Sequence, residues 1–188
     1  MVSPVTVAAA IDMTWRLFTA ARDGDLARVQ SCLAAGADPN GRHLVAYGAP
    51  TQTPLEAAVS GGHATCAAAL LAAGADPGTA ITSQLTVLHL AAVTGSAACI
   101  QALLDAGANP SAGAPSGLTP LHFAAAAADS RCAATLLAAG ASPAAVAWDN
   151  DGEALSLLRQ HNAWGPLYAA LAARHQLTAA DLTKQEDD

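Results

Sequence analysis

Three cysteines, Cys66, Cys99 and Cys132, stand 33 residues apart, and two histidines, His89 and His122, keep the same step. Thiolates and imidazoles are metal ligands, nucleophiles and general bases, so the set invites a chemical reading. The spacing argues against it. If each step is one packed helical layer, helices in adjacent layers lie about 8–10 Å apart, whereas a disulfide needs Cα atoms within about 7 Å. The cysteines read instead as a ladder of small buried hydrophobes. Cys32 falls outside that column, where the next unit carries Leu70. A general base needs a matched partner and a pocket, and a histidine repeating at a fixed period reads as part of a frame. His63, after a glycine pair, reads as structural too. His43 and His161, with the acids around Asp149, are the groups a hydrolase or metal enzyme would use, but no motif supports that alternative.

The run Asp149-Asn-Asp-Gly-Glu153 looks like a calcium loop until its glycine is placed sixth. Ala147 then takes the first ligand position and Leu158 the twelfth, where glutamate is required. There is no Gly-x-Ser-x-Gly elbow and no His-Glu-x-x-His helix. The single lysine, Lys184, sits at the wrong end for a phosphate loop. The sequence therefore predicts no catalytic, cofactor-binding or metal-binding residue and no cofactor.

The elements carrying these residues repeat with them. Thr53-Pro-Leu-Glu-Ala-Ala, Thr86-Val-Leu-His-Leu-Ala and Thr119-Pro-Leu-His-Phe-Ala are 33 residues apart, as are Gly74-Ala-Asp, Gly107-Ala-Asn and Gly140-Ala-Ser, with an earlier copy at Gly36-Ala-Asp. A fixed period of this length marks stacked units, none able to bury its apolar face alone. Threonine caps a helix, and proline after it suits the first turn. Gly24, Gly62 and Gly95 break each unit between two helices, and the second helix ends at Gly36, Gly74, Gly107 or Gly140.

This grammar resembles the ankyrin-repeat family over most of residues 13–177. The composition, rich in alanine and with arginine favoured over lysine, looks like that of a high-GC bacterial gene. The resemblance implies an all-α solenoid of about five helix-turn-helix units with short β-hairpin-like finger loops. The units are 13–40, 51–78, 84–111, 117–144 and 150–177, with an N-terminal extension at 1–12 and an acidic tail at 178–188. The first unit, with Trp15-Arg16 in place of Thr-Pro, reads as an N-terminal cap, and the last as a C-terminal cap. Five extra residues between Gly36 and Gly74 enlarge the first finger, 39–50. The family histidine implies hydrogen bonds between neighbouring loops at His89 and His122. Glu56 departs from that pattern, as do Val87 for proline and Ala128-Asp129 for Gly-His. If Ala128 takes a positive φ the strain is about 1–2 kcal/mol; Asp129 is the alternative, and either way a looser turn is expected.

In such stacks the finger tips and exposed first-helix positions form a concave binding face. Carried over residue by residue, this selects Arg42, His43, Tyr47, Gln52, Ile81, Thr82, Leu85, Val93, Thr94, Ser116, Leu118, Trp148, Asn150 and His161 as protein-binding residues. Interface centres are depleted of charge and rich in aromatics, which makes Tyr47, Leu85, Leu118 and Trp148 the anchors. The leucines also fit finger-on-finger packing, and Trp148 also fits closure of the cap. The function implied is binding of one protein partner by a chain monomeric on its own; the alternative is an inhibitor or immunity-type protein that blocks a cognate enzyme or toxin.

Composition agrees. The chain is 53% hydrophobic with only seven aromatic residues, a makeup suited to thin, closely packed helix pairs. Its net charge is −7 and its arginines are scattered, which argues against nucleic acid and anionic membranes as partners. No apolar run reaches the ~18 residues a bilayer requires. The start lacks basic residues before its apolar stretch, and with reduced cysteines this predicts a cytoplasmic protein.

Overall fold

A threonine starts each repeated first helix. Thr53 Oγ1 accepts the Glu56 backbone N–H at 3.2 Å, and Pro54 occupies the first turn, where no N–H partner is needed. Thr86 and Thr119 go further: each closes a reciprocal capping box with the histidine three residues on. Their backbone N–H groups donate to Nδ1 of His89 and His122 at 3.1 and 3.0 Å. With Nδ1 accepting, the neutral imidazole carries its proton on Nε2.

The computed structural model describes residues 4–44, 51–81, 85–113, 119–127 and 129–142. The chain divides into two units, Met1–Asn109 and Pro110–Asp188. The first holds three helical hairpins: α1 (Pro4–Asp23) with α2 (Leu26–Ala34), α3 (Pro54–Ser60) with α4 (Ala64–Ala72), and α5 (Val87–Val93) with α6 (Ala97–Asp105). Within it, α1 packs on α3 and α3 on α5, while α2 packs on α4 and α4 on α6. First helices thus form one layer and second helices another, as stacked repeats require. Helix α1 reaches back to Pro4, so residues 4–12 continue the first repeat's helix.

The enlarged first finger begins and ends as a hairpin. Strands β1 (His43–Leu44) and β2 (Thr51–Gln52) pair antiparallel, His43 opposite Gln52 and Leu44 opposite Thr51. Its middle, with Tyr47, lies outside the described residues. The second finger narrows to a bridge between Ala80 and Thr86, with the Ile81 N–H donating to Leu85 O at 2.7 Å.

The core runs between the layers. Leu17, Phe18, Ala20 and Ala21 from α1, Leu55 to Val59 from α3, and Val87, Leu88 and Ala91 from α5 are buried against Val29, Leu70, Ile100 and Leu103 of the second helices. Cys66 and Cys99 sit in the same seam, fully buried, as a hydrophobic ladder demands. Alanine on so many facing positions lets short helices approach closely enough to exclude water.

The second unit's described part is the hairpin of α7 (Pro120–Ala126) and α8 (Ser130–Ala138), closed over Leu121, Cys132, Leu136 and Leu137. Of the two residues expected to take a positive φ in its turn, Ala128 lies outside the described residues. Asp129 has φ −88°, not a positive value, and caps α8 by accepting the Arg131 and Cys132 N–H groups at 3.0 Å each. The Asp129 N–H donates to Ala124 O at 3.0 Å, between the 2.8 Å of the matching His63 bond and the 3.2 Å of Ser96. Asp129 thus caps α8 through its side chain, as Ser96 caps α6, whereas His63 makes no side-chain cap at α4. The expected unit 150–177, the loop at Asp149 and the tail 178–188 lie outside the described residues.

Candidate binding surface

Arg42 stands at the base of the first finger, just before β1. Its Nη1 donates to Thr51 O at 3.3 Å and reaches Thr51 Oγ1 at 3.5 Å, while Nη2 donates to Glu56 Oε1 at 3.2 Å and to Ala80 O at 3.0 Å. One guanidinium thereby joins β1, β2, the first turn of α3 and the second finger. Its rigid planar fork of donors suits it to hold acceptors in several directions at once. The side chain remains 44% exposed, so it lines the surface while fixing it. Glu56, its partner, takes the column that His89 and His122 occupy in the following repeats, and is buried.

Beside Arg42, His43 packs into an aromatic cluster from α1. Its ring lies 4.4 Å from Trp15 and 5.9 Å from Phe18, and those two rings stack at 5.9 Å and 16°. Phe18 is buried at the column of Glu56, whereas Trp15 is 40% exposed. Gln52, opposite His43, is half-buried, as are Ile81 and Leu85 on the second finger. Val93 and Thr94, at the end of α5, are exposed, and the Thr94 hydroxyl donates back to Ala91 O at 3.2 Å. Of the residues selected from sequence, the structure therefore places Arg42, His43 and Gln52 together on the first finger, Ile81 and Leu85 together on the second, and Val93 and Thr94 on α5. Thr82, Ser116, Leu118, Trp148, Asn150 and His161, like Tyr47, lie outside the described residues. The sequence reading missed Trp15, having assigned it to the cap; an aromatic residue in the threonine column beside a finger was the available signal.

Polar side chains tie the first two hairpins behind this surface. Asn40 Nδ2 donates to Gly74 O and its Oδ1 accepts the Asp76 N–H, both at 2.9 Å. His63 Nε2 donates to Arg22 O at 3.1 Å, its ring held against Gly24 and Gly61. In the second unit Ser111 Oγ accepts the Ser142 N–H at 3.2 Å, the same step that Asn40 makes to Asp76, four residues past one turn glycine to two past the next.

On the second-helix side, α4 and α6 leave an open groove of about 610 Å³, lined chiefly by alanines with Thr65, Gln101 and Asp105. Among the described residues no three His, Cys, Asp or Glu side chains cluster as a metal site. Burial pushes the Cys66 and Cys99 thiols above the ordinary range, disfavouring the reactive thiolate. At Asp129 burial pulls the carboxyl upward, but hydrogen bonds from Cys132 and Arg131 and the Arg131 charge outweigh it and hold the group below the usual range. No described helix is long and apolar enough to cross a membrane.

Capped helix pairs, left-handed turn glycines and paired fingers together define a repeat protein of the ankyrin class. The family model for ankyrin repeats (three copies) matches residues 17–113 and again 71–147, and the chain belongs to that family. Ankyrin repeats are protein–protein interaction modules, generally without enzymatic activity of their own. Comparison with curated proteins finds no match.

Proposed function

We propose that the chain binds a protein partner through the edge formed by its fingers and the exposed ends of its first helices. One observation carries this reading. The two large apolar side chains left exposed among the described residues, Trp15 at 40% and Val93 at 56%, both belong to first helices. The recurring polar groups nearby are occupied in holding the frame: His89 and His122 in capping boxes, Arg42 across the fingers. Apart from Arg42, no Lys, Arg, Asp or Glu is assigned to the face, the depletion of charge expected of an interface centre. Arg42, His43, Gln52, Ile81, Leu85, Val93 and Thr94 are the described residues we assign to that face; the sequence reading adds Tyr47, Thr82, Ser116, Leu118, Trp148, Asn150 and His161, which lie outside the described residues.

The test places a photo-crosslinking residue at position 93 or at position 98, an exposed alanine on α6, in chains expressed in the native host. Crosslinking to a discrete protein from position 93 and not from 98, abolished by Trp15→Ala with the melting curve retained, supports the reading. Equal crosslinking from both positions, or from 98 alone, overturns it.

A further inference from the structure

Glu56 is a carboxylate in an apolar seam. It is 1% exposed, Oε1 meets Arg42, and Oε2 is buried without a hydrogen-bond partner. A buried ionised carboxylate with an unmade bond carries a large desolvation cost, and a proton on the orphan oxygen removes most of it. The same proton removes the charge that holds Arg42, whose remaining acceptors are Thr51 and the Ala80 carbonyl on the second finger. We propose that Arg42 and Glu56 form a proton-sensitive latch: ionised, Glu56 clamps Arg42 across both fingers; protonated at Oε2 by solvent, it lets the first finger loosen from the second. The use of such a latch rests on the fingers being a partner-binding edge, but its operation does not.

The electrical surroundings of Glu56 support this. Burial pushes its carboxyl above the ordinary range, and the Arg42 charge and hydrogen bonding by Thr53 oppose the shift without cancelling it. The elements packed against α3 bring few competing groups. Helix α1 presents Phe18 at the same column and keeps Arg16, Arg22 and Asp23 exposed. Helix α4 presents the buried Cys66 thiol, with His63 at its start bonded to Arg22 O. Helix α5 presents His89, whose Nδ1 accepts the Thr86 N–H. The first finger presents His43, packed on Trp15. Sign matters here. A carboxyl raised in the folded state makes the fold more stable, not less, as pH falls through its titration. Loosening of the finger is therefore separable from acid unfolding, which moves every amide together.

The test follows the Glu56 carboxyl by carbon NMR while amide exchange, corrected for its intrinsic pH dependence, is read at the β1–β2 ladder and Ile81. Protection there should fall about fivefold, the scale of a half-exposed ion pair, across the Glu56 titration, with α3 to α6 unchanged. Glu56→Gln should show the lowered protection already at neutral pH and no further step. Unchanged finger protection while Glu56 titrates overturns the latch. So does wild-type protection in Glu56→Gln, or a step that disappears in His43→Gln, which would assign the response to His43. If Glu56→Gln does not fold, the wild-type titration alone decides. No partner is needed, so a failed latch leaves the crosslinking result standing, and a failed crosslink leaves the latch testable.

Discussion

Two turn glycines share a conformation and differ in surroundings, which makes them a controlled pair. Gly24 has φ +74° and Gly36 φ +86°. A Cβ at Gly36 would meet nothing within 4 Å, whereas one at Gly24 would lie 2.5 Å from His63 Nδ1 and 2.7 Å from Cε1. Gly36→Ala should therefore cost only the left-handed strain of an L-residue, about 1–2 kcal/mol. Gly24→Ala carries the same strain and must also displace the imidazole. That forfeits the His63–Arg22 hydrogen bond, about 0.5–1.5 kcal/mol, and leaves residual overpacking. We expect a total of about 2–4 kcal/mol, read as a lowered urea midpoint with an unchanged slope. Adding His63→Ala to Gly24→Ala should recover about 1 kcal/mol relative to additivity, because the ring the methyl collides with is gone. If Gly24→Ala costs no more than Gly36→Ala, or the cycle is additive within about 0.5 kcal/mol, the packing argument is refuted.

Asn40→Ala removes two bonds between adjacent turns; being exposed, they should contribute about 1 kcal/mol together, measurable by urea unfolding against the exposed control Gln30→Ala on α2. Thr53→Ala deletes the cap of α3 and should cost about 1 kcal/mol, seen as faster exchange of the α3 amides. Asp129 titrates below its ordinary range in the fold, so its contribution is full above the unfolded value and is lost as pH falls through the folded one; Asp129→Ala should lower stability at neutral pH and narrow its gap to wild type in acid. Maleimide should modify Cys66 and Cys99 only as fast as the fold opens, and rapid labelling of the native chain would contradict their burial.

The repeat frame was readable because its signals are local and redundant. Threonine, proline, leucine and glycine each act within a turn or two, and each repetition at 33 residues strengthens the last. Thr53, Thr86 and Thr119 cap as expected, and the seven turn glycines all take positive φ. The Asp129 cap was missed because the sequence reading weighed that residue as a turn former and not as the acceptor for the first N–H groups of α8. The Arg42–Glu56 couple was invisible for another reason: its residues are fourteen apart and belong to different elements, so only the placed finger brings them together. Glu56 was legible as a departure from histidine, but not as one half of a pair. Arg42 was picked for its likeness to a surface contact, and its reach to Ala80 depends on a layer that no spacing in the sequence encodes. For Trp15, exposure and the His43 contact follow from where the first finger lies over α1.

Arrays of repeats commonly come apart from their ends, since a terminal module has one neighbour rather than two. Here the amino-terminal hairpin is stitched to the next one at three separate heights, by Asn40 at the turns, Arg42 at the fingers and His63 between the helices. Parting these two hairpins would have to undo three polar seams at once, so they should melt as one block.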